Sequence, residues 1–217
     1  MSKRIGIFGT SGMARETQDI AHDLGHSVVF VARDPLEMAT IQDTGEDVML
    51  ESDIDRFRDM AYSIGVGECV ARRKIANRFA DKIKFCNLIH PSATFGRNER
   101  EHVETKQGVI VAAGVRFTCN ILIGDFTIFN LNATISHDCI IGDFVTISPQ
   151  ACVLGNVEIK AGAWIGAGTI INQGTTESKL LIGENSLIGS GAVVLSECDA
   201  KSVYVGIPAR RIKVHSQ

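Results

Sequence analysis

The 217-residue chain is 45% hydrophobic, enough to bury a real core, which excludes wholesale disorder. Twenty-two Lys and Arg against 25 Asp and Glu leave a formal net charge of −3, so no overall field draws it to nucleic acid or an anionic membrane. No apolar run approaches the roughly 18–20 residues of a membrane span, and Lys3 and Arg4 lead into a Gly-broken strand rather than a signal-peptide core, so a cytoplasmic protein is expected.

Up to about residue 88, strands alternate with helices. Residues 4–8 read as a short buried strand, Gly9-Thr10-Ser11-Gly12 as a turn, and 13–24 as a helix with Ala14, Ile20, Ala21 and Leu24 on one side. A second strand follows at 27–31. Asp34-Pro35 stops it, and a weakly patterned stretch runs to Ser52. Residues 56–67 read as a helix leading into a strand at 62–66. Residues 71–82 read as a helix with Ile75, Ala76 and Phe79 apolar and Arg72, Arg73, Lys74 and Arg78 toward water. Such alternation implies a parallel sheet.

From Ile89 onward the helical pattern gives way to a period of six. Val111, Phe117, Ile123, Phe129, Ile135, Ile141, Ile147, Val153, Ile159, Ile165 and Ile171 are all large and apolar. Four positions after these stand smaller residues, such as Ala133, Cys139, Ala151 and Ala163. Gly directly follows the large residue at Gly124, Gly142 and Gly166, where a tight corner needs a residue without Cβ. The period slips across 172–181 and resumes at Ile182, Ile188 and Val194. The fragment 89–94 fits one earlier unit, and the charged stretch 97–106 reads as a loop bulging from the first coil. A hexapeptide repeat of this kind marks a parallel β-helix, each unit forming one side of a triangular coil, with coils stacked at about 4.8 Å. An ordinary β-sandwich would instead show period two and irregular turns. The β-helix also explains 21 Gly beside only 6% aromatics and 4 Pro, because a thin prism has little room for rings. The six cysteines (Cys69, Cys86, Cys119, Cys139, Cys152, Cys198) form no Cys-x-x-Cys pair, and most of them read as reduced, buried and inert.

Several motifs together resemble one known family. They are Gly9-Thr-Ser-Gly12 after the first strand, His90-Pro-Ser-Ala93, His137-Asp-Cys139 followed by Ile141-Gly-Asp-Phe144, Ile147-Ser-Pro149, Ile165-Gly-Ala-Gly168 and Gly206-Ile-Pro-Ala-Arg210. They look like the sialic acid O-acetyltransferase and nucleotide-amino-sugar N-acetyltransferase family, over nearly the whole chain. The resemblance implies an α/β Rossmann-like N-terminal domain, residues 1–88, that binds the sugar nucleotide. It implies a C-terminal left-handed parallel β-helix, residues 89–217, that forms homotrimers and binds acetyl-CoA between neighbouring subunits.

Acetyl transfer needs a base for the proton of the nucleophile. Of six histidines (His22, His26, His90, His102, His137, His215), only His137 lies inside the regular repeat, two places after the inward Ile135. Its side chain is therefore expected to point outward near a corner, either as a solvated surface residue or, as the His-Asp-Cys match implies, as the base. Asp138 is either a turn former or the carboxylate that orients the imidazole. The family often carries a second His where this chain has Thr146. Asn130 and Asn132, on the preceding unit, either help to position the acceptor or satisfy a corner backbone.

By resemblance, Gly155, Ala167, Gly168 and Gly174 let the pantetheine arm of acetyl-CoA approach the backbone. Pro208, Arg210 and Arg211 lie at its adenine and phosphate end, the alternative being a solvated basic tail. The N-terminal glycines match a dinucleotide fingerprint only at Gly9 and Gly12, with Ile7 in the first position, so a mononucleotide fits better than NAD. Gly9, Thr10, Ser11 and Gly12 would present backbone N–H groups at a helix start. Asp34 alone remains of the acidic pair that ends the second strand in many relatives. Gly67 with Arg72 and Arg73 is a candidate wall of the same pocket, or else turn glycines beside a solvated helix.

The reading is thus an acetyl-CoA-dependent N-acetyltransferase acting on a nucleotide-linked 4-amino-sugar, without a metal. The alternatives are O-acetylation of a sialic acid and a non-catalytic β-helix scaffold. A γ-type carbonic anhydrase on the same fold needs three ligating histidines, and the repeat supplies one.

Overall fold

In the computed structural model, which describes residues 3–42 and 44–214, β1 (Arg4–Phe8) is the centre of a five-stranded parallel sheet. Its neighbours are β2 (Ser27–Ala32) and β4 (Ala61–Ile64), flanked by β3 (Val48–Leu50) and β5 (Lys84–Phe85), in the order β3-β2-β1-β4-β5. Every residue of β1 after Arg4 is buried, as expected of a strand covered on both faces. Ile5, Ile7, Val28 and Phe30 pack on Ala14, Ile20 and Ala21 of α1 (Gly12–Asp23), and against Leu88, Ile110 and Ile128 farther along the chain. Phe8, Val31, Tyr62 and Ile64 face the other way, onto Ala76 and Phe79 of α3 (Cys69–Phe79).

The stretch 34–52 carries more structure than its pattern predicts, namely β3 and α2 (Pro35–Gln42). Asp34-Pro35 follows the end of β2, as expected, and also starts a helix. Asp34 Oδ1 accepts the Glu37 N–H at 2.9 Å, and proline is well suited to a first helical position, where no N–H is needed. The helix expected from residue 56 is a short 3-10 turn, Glu51–Arg56, that ends there.

From the strand Leu88–Ile89 onward the chain winds into a three-faced prism of parallel strands, mostly two residues long, to which Arg210–Val214 adds antiparallel to Ser202–Val205. Strands 18 residues apart pair directly, for example Thr134–Ile135 with both Arg116–Phe117 and Cys152–Val153. The large repeat residues point inward, with Ile135, Ile147, Val153 and Ile165 fully buried. The smaller ones, Ala133, Cys139 and Ala151, are equally enclosed. Each buried Ile or Val contributes about 1.5–3 kcal/mol, so the regular repeat is a long, uniform core.

Gly124, Gly142 and Gly166 lack room for a Cβ, as expected, but without a left-handed φ, whereas Gly114, Gly162 and Gly168 do hold left-handed corners at φ 72°, 68° and 64°. The left-handed corners are held largely by Asn120, Asn132, Asp138, Phe144, Gln150 and Asn156, all with φ between 55° and 60°. Gly124, Gly142 and Gly166 leave room for the neighbouring coil: a Cβ on Gly142 would lie 2.6 Å from the Ala161 nitrogen. The stretch 97–106 also differs from a plain loop, because it contains α4 (Glu99–Glu104).

Arg72, expected on the wet face of α3, is completely buried between sheet and prism. It shares the helix face of Cys69, Ala76 and Phe79. Its guanidinium donates to the carbonyl oxygens of Phe126, Val66, Gly67 and Phe144, each at 2.8 Å, and to Thr146 Oγ1 at 2.9 Å. The six cysteines are free thiols; Cys119 is exposed, but burial pushes Cys86 and Cys139 up to about 11 and Cys198 up to about 12. Among the described residues no helix is long and apolar enough to cross a membrane.

Candidate active site

The strand Thr134–Ile135 ends at a corner where Asp138 takes a left-handed conformation (φ 60°), which Asp and Asn tolerate better than most residues. Coil stacking sets Asn120 and Asn156 at the same corner on the adjacent coils. His137 points outward with half its side chain exposed, and its Nδ1 lies 2.7 Å from Asp138 Oδ2. Asp138 Oδ1 accepts a hydrogen bond from Asn120 Nδ2 at 2.5 Å. The Asn120 amide first, and His137 next, hold the Asp138 carboxyl below the usual carboxylate range. An ionised carboxylate can only accept, so Nδ1 carries the hydrogen, and in the neutral ring that leaves the lone pair on Nε2. Among the described residues Nε2 has no hydrogen-bond partner. The ring lies against Gly155, where a Cβ would come 2.4 Å from Nε2.

Gly174 belongs to the same corner, since its N–H donates to the Gly155 carbonyl at 3.0 Å. Ala167 and Gly168 occupy the next corner of the prism, stacked on Pro149 and below Gly191. The segment holding Pro208 closes over that second corner, where Val193 N–H donates to Gly206 O and Ala209 N–H to Val193 O. Arg210 and Arg211 lie on the exposed final strand, Arg210–Val214, with Arg211 paired to Asp199 at 3.0 Å. Within one chain, therefore, the expected cofactor residues are divided between two corners.

Asn130 and Asn132 belong to the second corner and not to that of His137; Asn132 packs against Gly114, and the buried Asn130 Oδ1 has no partner among the described residues. Thr146 does not face the His137 corner either. It is sealed beneath α3, where it accepts from Arg72 and donates to Gly67 O at 2.9 Å.

A cleft of about 470 Å³ opens where the strand order reverses between β1 and β4, the customary ligand crevice of open α/β sheets. Gly9 and Ser11 line it. Ser11 is the N-cap of α1 and its side chain makes no capping bond. Gly12 opens that helix, while Thr10 is buried against Glu37 and Thr40. Asp34 sits outside the cleft on an adjoining groove, with one oxygen capping α2 and the other on Arg33 Nε at 3.0 Å.

Gly67 and Arg72 do not line the cleft. Both are consumed in the seam with the prism, and Arg73 lies over the Phe144 ring at 5.1 Å. The wall is built instead from Ala71, Lys74, Ile75 and Arg78, one helical face of α3, together with Glu51. That spacing was available in the sequence, but nothing local distinguishes it from the face bearing Arg72. Glu51 is 7% exposed and paired with Arg78 at 2.6 Å; burial pushes its carboxyl up, against the pull of Arg78.

Among the described residues, which exclude His215, no group of three or more His, Cys, Asp or Glu is arranged to hold a metal ion.

No protein-family model matches the chain. GDP-perosamine N-acetyltransferase of Escherichia coli O157:H7 is 31% identical over 218 residues, covering 96% of this chain and 96% of that protein. The structure of PerB from Caulobacter crescentus in complex with CoA and GDP-perosamine aligns with a TM-score of 0.83 at 24% identity, over 96% of this chain and 97% of that one. WeeI from Acinetobacter baumannii AYE aligns with a TM-score of 0.81 at 27% identity, over 97% and 100%.

Proposed function

Because the chain belongs to the nucleotide-amino-sugar N-acetyltransferase family, we propose that it transfers the acetyl group of acetyl-CoA to the amine of a nucleotide-linked 4-amino-sugar. The observation that carries the chemistry is the His137–Asp138 pair at an open corner, with Nδ1 on the carboxylate and Nε2 unpartnered among the described residues. The neutral amine attacks the thioester carbonyl, its proton passes to His137 Nε2, and the tetrahedral adduct collapses with loss of the CoA thiolate, which takes up the proton. Asp138 holds the productive tautomer and stabilises the imidazolium while it lasts.

We read residues 1–88 as a Rossmann-like unit for the sugar nucleotide and residues 89–217 as a left-handed β-helix. The strand order and the crevice beside Gly9 and Ser11 support the first part of this reading. Lys74, Arg78 and Arg33 offer positive charge to a nucleotide's phosphates. Gly155 and Gly174 beside His137, and Ala167, Gly168, Pro208, Arg210 and Arg211 at or beyond the second corner, fit an acetyl-CoA site made between neighbouring copies of the chain. Exposed Leu122, Leu131, Ile170 and Leu195 are consistent with a homotrimer that covers them. A cytoplasmic location accompanies this reading.

The test is release of free CoA thiol from acetyl-CoA, measured against a panel of nucleotide-linked amino-sugars, their N-acetylated forms and free sialic acids. Turnover confined to nucleotide-linked amines supports the proposal. Turnover with the N-acetylated sugars or with sialic acids would mark an O-acetyltransferase instead.

A further inference from the structure

Both interruptions of the six-residue period reach the corner that carries His137. The first excursion returns as α4, and its buried Glu99 accepts the backbone N–H of Asn120 at 2.5 Å and of Ile121 at 3.2 Å. Asn120, so anchored at φ 55°, directs its amide to Asp138 Oδ1. The second excursion sends Lys179 Nζ to the backbone carbonyl of Asp138.

These contacts differ from those that hold the other corners. At the neighbouring Asp143, a carboxylate oxygen accepts a backbone N–H, that of Asp125, at 2.8 Å, which ties one coil to the next. The Asn120–Asp138 bond joins two side chains at an exposed corner and satisfies no backbone group. Its effect is to fix the plane of the carboxylate whose other oxygen holds His137 Nδ1. A freely rotating carboxylate would let the imidazole swing away from the amine, and small misplacements of a reacting group cost rate steeply.

We propose that Asn120 is a positioning residue for acetyl transfer, fixed by Glu99 and aided by Lys179, so that the two interruptions of the repeat serve to orient the catalytic pair. The inference rests on His137 being the base.

Steady-state kinetics and thermal melts of the full-length protein test it with Asn120→Ala, Asn120→Asp and Lys179→Met, beside His137→Ala. Among the described residues, the charged groups bonded at the imidazole's corner are Asp138, on the ring itself, and Lys179, on the Asp138 carbonyl. Asn120→Ala is expected to lower kcat about tenfold, with both KM values within twofold of the parent. Asn120→Asp keeps a residue type suited to the left-handed corner and adds negative charge beside the pair. It should move the acidic limb of the kcat/KM profile to higher pH, because an imidazolium is favoured there. Lys179→Met removes a positive charge and is expected to shift that limb the same way by less. If Asn120→Ala gives no cooperative melt, the limb of Asn120→Asp decides. Folded Asn120 variants with parental kcat and an unmoved limb, alongside an inactive His137→Ala, would overturn this inference alone. A fully active His137→Ala would overturn the base assignment and, with it, the inference.

Discussion

The backbone of Gly155 passes so close to the His137 imidazole that a β-carbon there would lie 2.4 Å from both Cε1 and Nε2. Gly155→Ala must therefore rotate the ring or push the coil aside. Turnover should fall about 100-fold while the melting temperature changes little, since misplacing a reacting group by about 1 Å is enough for such a loss. Parental turnover in Gly155→Ala would show that the ring need not stay where it is.

Arg72 and Thr146 tie the sheet to the prism. Removing the guanidinium takes the Arg72 donor from the carbonyls of Phe126, Val66 and Phe144, and leaves Gly67 O with Thr146 Oγ1 alone of its two side-chain donors. Arg72→Met is expected to cost about 3–5 kcal/mol in denaturant unfolding, and Thr146→Val about 1–2 kcal/mol, with kcat unchanged in the threonine variant. Equal stability of Arg72→Met and the parent would contradict the buried assignment.

The pH dependence follows from the sign of the Asp138 shift. Asn120 and then His137 hold this acid below its usual range, so it is ionised above its depressed folded value. Whatever stability it contributes is present above its unfolded value and lost as pH falls through the folded one. The acidic limb of kcat/KM should therefore have unit slope, from one proton on the base. Asp138→Asn should lower kcat by about 100-fold or more, because a carboxamide can hold the wrong tautomer. A limb of slope two would mean that the carboxylate titrates together with the imidazole.

The two ligand sites should separate kinetically. Lys74→Ala, in the cleft, should raise KM for the nucleotide sugar about tenfold, the equivalent of about 1.4 kcal/mol, and leave that for acetyl-CoA unchanged. Arg210→Ala with Arg211→Ala should do the reverse. Initial-rate measurements with each substrate varied will distinguish them, and an unchanged acetyl-CoA constant would remove the final strand from the cofactor site.

The prism was legible because each side of a coil needs one large inward residue, and Val111 through Ile171 supply it without a gap. The same period could have disclosed Asn120, since positions 18 apart stack, and 120, 138 and 156 form one corner. What local pattern could not give was long-range burial. Arg72 and Lys74 are both basic and both on α3, and only the arrival of Phe126, Phe144 and Thr146 from the prism decides that one is sealed while the other lines a cleft. Asp34-Pro35 was similarly two-sided, because an Asp-Pro pair punctuates a strand and also starts a helix. Glu51 went unread because it joins the cleft through a 3-10 turn whose position depends on β3.

The central claim is that His137 takes the proton of a nucleotide-linked amine during acetyl transfer. Its most direct test is the turnover of His137→Ala with acetyl-CoA and whichever nucleotide-linked 4-amino-sugar the parent protein acetylates, on protein shown by circular dichroism to be folded. A loss of at least about 100-fold in kcat is expected, in the range that general acid–base catalysis supplies. Turnover equal to that of the parent protein would contradict it.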